Sequence, residues 1–212
     1  MSSAPAESRP VVLASRSAGK LRELRALFDA AGIPLEDLTD VGLTRADPDE
    51  DALEVHGTFE ENARAKARWF AARLPGRRVV ADDSGLEVLA LGGAPGVRSK
   101  RWAGSQATGS ALDADNNAAL QRALAGASSR AARYVSVLVC VDGGQEWLAR
   151  GECTGRILES PEGTGGFGYD PYFWSDDLGK AFGRATREEK AGVSHRGRAC
   201  RALLAQWRSP GS

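Results

Sequence analysis

Two carboxylates stand side by side at Asp82 and Asp83, after the apolar run Val79-Val80-Ala81 and before Ser84-Gly85. A pair of acidic groups at the C-terminal end of a strand, where α/β proteins commonly place their active sites, suits a hard cation such as Mg2+ or the orientation of a water molecule. Successive strand side chains point to opposite faces, so both can serve one site only if the strand breaks, and Ser84-Gly85 supplies such a break. An Asp-rich turn capping a strand accounts for the same residues without chemistry. The turn-rich stretch Gly92-Gly93-Ala94-Pro95-Gly96 that follows reads as a stiff corner supporting the acidic strand end.

Four other stretches carry residue types with chemical uses. In LASRSAGKLREL, from Leu13 to Leu24, a strand ends at Ser15 and Lys20 lies close to the start of a helix. Free N–H groups and the positive end of a helix make such a turn a phosphate cradle, to which Lys20 adds a point charge. It is not a Walker A loop, which needs glycine in place of Ala14 and serine or threonine in place of Leu21, and taken alone the segment reads first as an ordinary βα turn with a solvated lysine. In GTGGFGYDPYFW, residues 163–174, glycines surround Phe167. A ring so flanked has few local packing partners and could stack on a flat heterocycle, whereas Phe173 and Trp174 read as core. Ser194, His195 and Arg196 open the last helix and offer donors at its start. Glu54 lies in the acidic stretch DPDEDALEVHG, which by itself reads as a solvated ordered loop.

The elements that must hold these residues follow from periodicity. Residues 10–15 form a short buried strand, and Leu21, Leu24, Leu27 and Phe28 recur at helical spacing until Gly32. Thr58-Phe59-Glu60-Glu61 is a capping box opening a helix that ends at Pro75-Gly76. RRVVAD is a strand, Asp113 to Leu124 a helix, and ARYVSVLVCVD and EWLARGECTGRIL a hairpin joined at Gly143-Gly144. A last helix from about Ser194 carries Cys200, Leu203, Leu204 and Trp207. Strands alternating with helices around a long hairpin specify an α/β fold with a mixed central sheet. The domain expectation is a disordered tail over residues 1–9 and a single domain over 10–209, in which two lobes of that domain remain possible.

Bulk composition excludes several classes. The 212 residues carry 28 basic and 28 acidic groups, so no net charge favours a polyanion such as nucleic acid. Cys140, Cys153 and Cys200 are odd in number and widely spaced, against a disulfide framework or a structural zinc site and in favour of a reducing cytoplasm. The opening MSSAPAESRP is no secretory signal, and VSVLVCV is too short to span a bilayer.

In order and spacing, LASRSAGKLREL, GTFEENARAKAR, ADDSGLEVLALGGAPGVRSKRWAG, GTGGFGYDPYF, TREEK and SHRGRA resemble the Ham1-like inosine/xanthosine triphosphate pyrophosphatases, over about Val11 to Trp207. The resemblance implies a Mg2+-dependent homodimer with an elongated mixed sheet and two lobes around a nucleotide cleft. It also implies hydrolysis of ITP, dITP or XTP to the monophosphate and pyrophosphate. Carried over by position, Glu54 is a metal ligand, and Asp83 is both metal ligand and catalytic carboxylate. The triphosphate loop falls on Ser15, Arg16, Ser17, Ala18, Gly19 and Lys20, with Ser84 an adjoining substrate contact. The base pocket falls on Phe167, Gly168, Tyr169 and Asp170, closed by Lys190, His195 and Arg196. On this reading His195 and Arg196 donate to the purine 6-oxygen, which adenine lacks. The chain departs from the family pattern where Ser15-Arg16-Ser17 replaces TGN, at Arg98 in place of an aromatic, and at Lys100 in place of a small residue. Two other readings stay open: a Maf-like pyrimidine or modified-nucleotide pyrophosphatase, whose first block LASxSPRR faintly resembles LASRSAGK, and a nucleotide-binding protein without catalysis.

Overall fold

The computed structural model describes residues 9–208. The tail expected over 1–9 lies outside them except for Arg9, whose guanidinium pairs with Asp142.

The expected opening is present: β1 (Val11–Leu13), fully buried, leads through a four-residue turn into α1 (Ala18–Ala30). Ser17 caps α1 by accepting from the Lys20 N–H, and Leu24 and Phe28, one turn apart, bury its inner face. The chain leaves α1 through Gly32, whose φ of 75° is a left-handed exit that glycine tolerates. β2 (Leu35–Glu36) follows, then a 3-10 turn, Pro48–Glu54, where an ordered loop or edge segment was expected. Its Asp47–Glu50 capping box was present in the sequence as D-x-x-E. The next helix, α2 (Phe59–Arg73), is capped by Thr58 as expected, although the Glu61 carboxylate accepts from the Thr58 hydroxyl.

β3 (Arg78–Val88) corrects one expectation. It runs through Ser84-Gly85 without a break, almost continuously buried, as in strands covered on both faces. α3 (Gly109–Ala123) begins four residues before the expected Asp113, because Thr108 already holds the extended backbone of a helix cap. β4 (Ala131–Asp142) and β5 (Gln145–Ile157) form the expected hairpin, which a two-residue turn can close only between antiparallel neighbours. The remaining elements are β6 (Phe173–Ser175), β7 (Lys180–Ala181), α4 (Arg187–Val193) and α5 (His195–Arg208). α4 was not anticipated, although its capping box Thr186/Glu189 was legible.

The sheet is mixed, in the order β2-β1-β3-β4-β5-β6-β7, with β1 parallel to β2 and β3, and β6 antiparallel to β5 and β7. The chain divides into two compact units. Among the described residues the first comprises 9–83, 136–151 and 196–208, and the second 84–135 and 152–195. Leu13, Leu24, Phe28, Val80, Leu138, Cys140 and Leu203 centre the core of the first. Leu86, Leu120, Tyr134, Phe173 and Phe182 centre that of the second.

Candidate active site

In the first unit, unbroken alternation along β3 sends Asp82 and Asp83 to opposite faces, where they meet different partners. Asp82 is fully buried. Its Oδ2 lies 2.9 Å from Lys20 Nζ and 3.5 Å from Arg196 Nε, and its Oδ1 accepts from the Ser136 hydroxyl at 2.6 Å. Burial by itself would raise this carboxyl's pKa. Lys20, Arg196 and the Ser136 hydroxyl together overcome that and hold it far below the usual carboxylate range. A depressed folded pKa contributes stability above the unfolded value, so this contribution is in full force at neutral pH and is lost progressively as pH falls from the unfolded pKa through the folded one. Asp82 is therefore an anchor inside the unit, and the expectation that a strand break turns both adjacent carboxylates to one site is corrected: they face opposite ways.

Asp83 is 6% exposed and sits among the side chains of α2. Asn62 Nδ2 donates to its Oδ2 at 3.0 Å, and Lys66 Nζ stands 3.7 Å from its Oδ1. Lys66 also donates to Glu54 Oε1 and to the Asp82 carbonyl, each at 2.7 Å. One buried ammonium thus has Glu54 on one side and Asp83 on the other. Burial opposes the charge on Lys66, but Asp83 and Glu54 prevail and keep its pKa above the ordinary value. Burial also raises Asp83, and here Lys66, Lys20 and Asn62 offset it only in part, so its pKa stays above the ordinary value. Such a carboxylate is a better proton acceptor than one in water.

The turn before α1, where a phosphate cradle is expected, belongs to the same unit. The Ser15 hydroxyl accepts from the Ser17 N–H at 3.3 Å, and Ala18 and Gly19 open α1, where first-turn amides have no partner within the helix. Arg16 points elsewhere: its guanidinium is held by Glu50 and by the carbonyls of Leu43 and Arg45. Arg196, expected in the base pocket, is 3% exposed and pairs with Glu23 and Asp82.

In the second unit the expected pocket residues cluster around Asp170. Its Oδ2 accepts from the Phe167 N–H at 2.8 Å and from Lys190 Nζ at 2.5 Å, and the Tyr134 hydroxyl approaches Oδ1 at 3.4 Å. Asp170 is thus the hub that shapes the Phe167 loop. A Cβ at Gly166 would lie 2.0 Å from Asp170 Oδ2, so only glycine admits this approach. Phe167 itself is half-buried, with Lys190 Nζ 5.2 Å from its ring centroid, within cation–π range. Tyr169 is buried and donates its hydroxyl to the Ser99 carbonyl at 2.7 Å, a fixed core contact. The His195 ring stacks on Tyr134 at 4.6 Å. Ser84 follows Asp83 along β3 and is half-buried.

Residues 11–206 match the Ham1 family. The chain belongs to it. Among Ham1-related proteins, the dITP/XTP pyrophosphatase of Ralstonia nicotianae is 45% identical over 94% of this chain and 97% of its own length. That of Mycolicibacterium paratuberculosis is 48% identical over 92% and 94%. A HAM1 protein from Coxiella burnetii superposes with a TM-score of 0.78 at 34% identity, over 94% of this chain and 98% of that one. The Staphylococcus aureus Ham1 protein gives 0.77 at 32%, with the same coverage.

Sequence reasoning passed over two polar residues in each unit. Asn62 and Lys66 lie one turn apart on the face of α2 that Ala63, Ala67 and Phe70 bury, and polar residues on an apolar stripe were the available signal. Asp113 and Asn117 lie one turn apart on α3. Asp113 Oδ2 accepts from the Gly168 N–H at 2.8 Å and Asn117 Nδ2 donates to the Gly168 carbonyl at 2.9 Å, so they grip both sides of one loop residue. Nothing local in the sequence linked them to a residue more than 50 positions away.

Proposed function

We propose that this protein hydrolyses non-canonical purine nucleoside triphosphates, ITP, dITP or XTP, to the nucleoside monophosphate and pyrophosphate, removing them from the nucleotide pool. The observation that carries the reading is the Glu54–Lys66–Asp83 cluster: a buried carboxylate with raised basicity beside a buried ammonium, in a Ham1 chain. The names of the curated relatives point the same way.

The donor set suits Mg2+. Among the described residues no three His, Cys, Asp or Glu side chains form a self-sufficient metal cage, but Mg2+ in phosphotransfer sites takes one or two carboxylates and completes its shell with water and substrate phosphates. The fold already gathers Glu54 and Asp83 about one positive charge, and these two would hold the ion. When bound, it would neutralise phosphate charge and stabilise the departing pyrophosphate.

The chain's own groups do the rest. The amides opening α1 and the Lys20 ammonium meet the phosphate charges. Asp83, oriented by Asn62, accepts a proton from a water whose oxygen attacks the α-phosphorus. The bond from that phosphorus to the bridging oxygen breaks, and pyrophosphate leaves with the electron pair. Lys66 balances the charge that Asp83 carries before the transfer. In the second unit, Phe167 stacks on the base, and the buried His195 is assigned as a donor to the purine 6-oxygen. Arg196 serves instead as a counter-charge to Asp82. The free, buried cysteines support a reducing cytoplasm, and the resemblance supports a homodimer.

Turnover of ITP and XTP set against dTTP and UTP, with Mg2+ present, tests the substrate class. Preferential hydrolysis of the purine pair is the expected result. Preference for the pyrimidines would favour a Maf-like activity, and binding of dITP without product would leave a binding module.

A further inference from the structure

Arg16 stands where the resemblance placed a phosphate contact, yet its side chain is committed inside the first unit. Nε donates to Glu50 Oε2 at 2.8 Å and Nη2 to Glu50 Oε1 at 2.7 Å, a two-pronged pair. Nη1 donates to the Leu43 carbonyl at 2.9 Å and Nη2 to the Arg45 carbonyl at 2.8 Å. Together these contacts occupy four of the five N–H donors a guanidinium has. Glu50 is itself built into the chain beyond: its Oε1 accepts from the Asp47 N–H at 3.0 Å and closes the capping box of the 3-10 turn that ends at Glu54.

We infer that Arg16 is a positioning residue, a strut that ties the phosphate turn to the Leu43–Glu54 stretch and so fixes Glu54 beside Lys66. The inference rests on the proposed function only for its catalytic consequence. The physical case rests on geometry. A single exposed ion pair contributes little, but a planar fork that also takes two carbonyls fixes three separate points of a loop at once. Lysine could supply the charge without the fork. The replacement of glycine by arginine in the TGN pattern thereby gains a role. What the turn loses in backbone freedom, this chain replaces with a brace to the segment that carries the carboxylate.

The test uses the full chain and three variants, Arg16→Ala, Glu50→Ala and the double variant, followed by amide hydrogen exchange and by the Mg2+ dependence of ITP turnover. Each single variant is expected to speed exchange across residues 43–54 by roughly tenfold or more while α3 and β4 stay unchanged, and to raise the Mg2+ concentration for half-maximal rate by about five- to tenfold, with kcat changed less. The double variant should fall short of the sum of the two single effects, because the Arg16–Glu50 fork is lost in each, while Arg16→Ala alone drops the Leu43 and Arg45 carbonyl bonds and Glu50→Ala alone drops the Asp47 cap. Arg16→Lys should restore little of the protection. Unchanged exchange at 43–54, or additive effects in the double variant, would overturn the strut. So would weaker pyrophosphate inhibition in Arg16→Ala with the loop still protected, which would return Arg16 to phosphate binding. If the wild-type chain fails to turn over ITP, the proposed function falls, and the exchange data still decide the strut.

Discussion

Asp82→Asn would leave Lys20 and Arg196 facing a neutral amide at a position that is 0% exposed. Breaking a buried ion pair from one side costs about 3–5 kcal/mol, so a fall in Tm of roughly 6–20 °C is expected for a chain of this size. Asp83→Asn should behave in the opposite way. A carboxyl whose folded pKa is raised contributes stability that is fully present below its unfolded pKa and is lost as pH climbs through the folded value. At neutral pH its charge is a burden, and neutralising it should leave Tm within a few degrees while turnover drops about 10²–10⁴-fold, the usual worth of a general base. Differential scanning calorimetry beside a pyrophosphate-release assay separates the two. Phe167→Ala should weaken nucleotide binding by about 1–3 kcal/mol if its ring stacks on the base. Inhibition by pyrophosphate, which has no base, should stay the same. An equal loss for both ligands would show that the ring only packs.

At the scale of elements, the helix face and the glycine loop set the tolerances. On α2, Asn62 and Lys66 share a buried stripe with Ala63, Ala67 and Phe70. Lys66→Met keeps the length and apolar stem but leaves Glu54 and Asp83 without the ammonium between them, so a large loss of kcat with intact helicity is expected, measurable by far-ultraviolet circular dichroism and steady-state kinetics. In the loop, Gly166→Ala would drive a methyl group into the Asp170 carboxylate and should raise the KM for ITP by displacing Phe167. The strand–turn–helix opening and the long hairpin were legible because periodicity, caps and turn residues are local signals. The unbroken run of β3 through Ser84-Gly85 was not, because tertiary burial on both faces overrode the local weakness of glycine in a strand. Nor was the commitment of Arg16 to Glu50 or of Arg196 to Glu23, since both pairings join residues far apart in the chain.

For the molecule as a whole, the core of the first unit encloses two thiols with pKa values pushed up to about 12 by burial, Cys140 and Cys200. The thiolate is the reactive form, so at pH 8 neither should alkylate in the native protein, and both should do so in denaturant. Labelling under native conditions would show that this core opens more readily than its packing implies. No helix among the described residues is long and apolar enough to cross a membrane, and the charge balance is even, so an anionic substrate must be met by a few local groups rather than by a global field. In the proposed reading those groups are the start of α1, Lys20 and the carboxylate–ammonium cluster around Asp83. The most direct test is chromatographic product analysis of dITP incubated with Mg2+ and either the wild-type chain or Asp83→Asn. The expected result is dIMP and pyrophosphate in equal amounts from the wild type and at least a hundredfold less from the variant. Formation of dIDP and phosphate, or an undiminished rate in the variant, would contradict it.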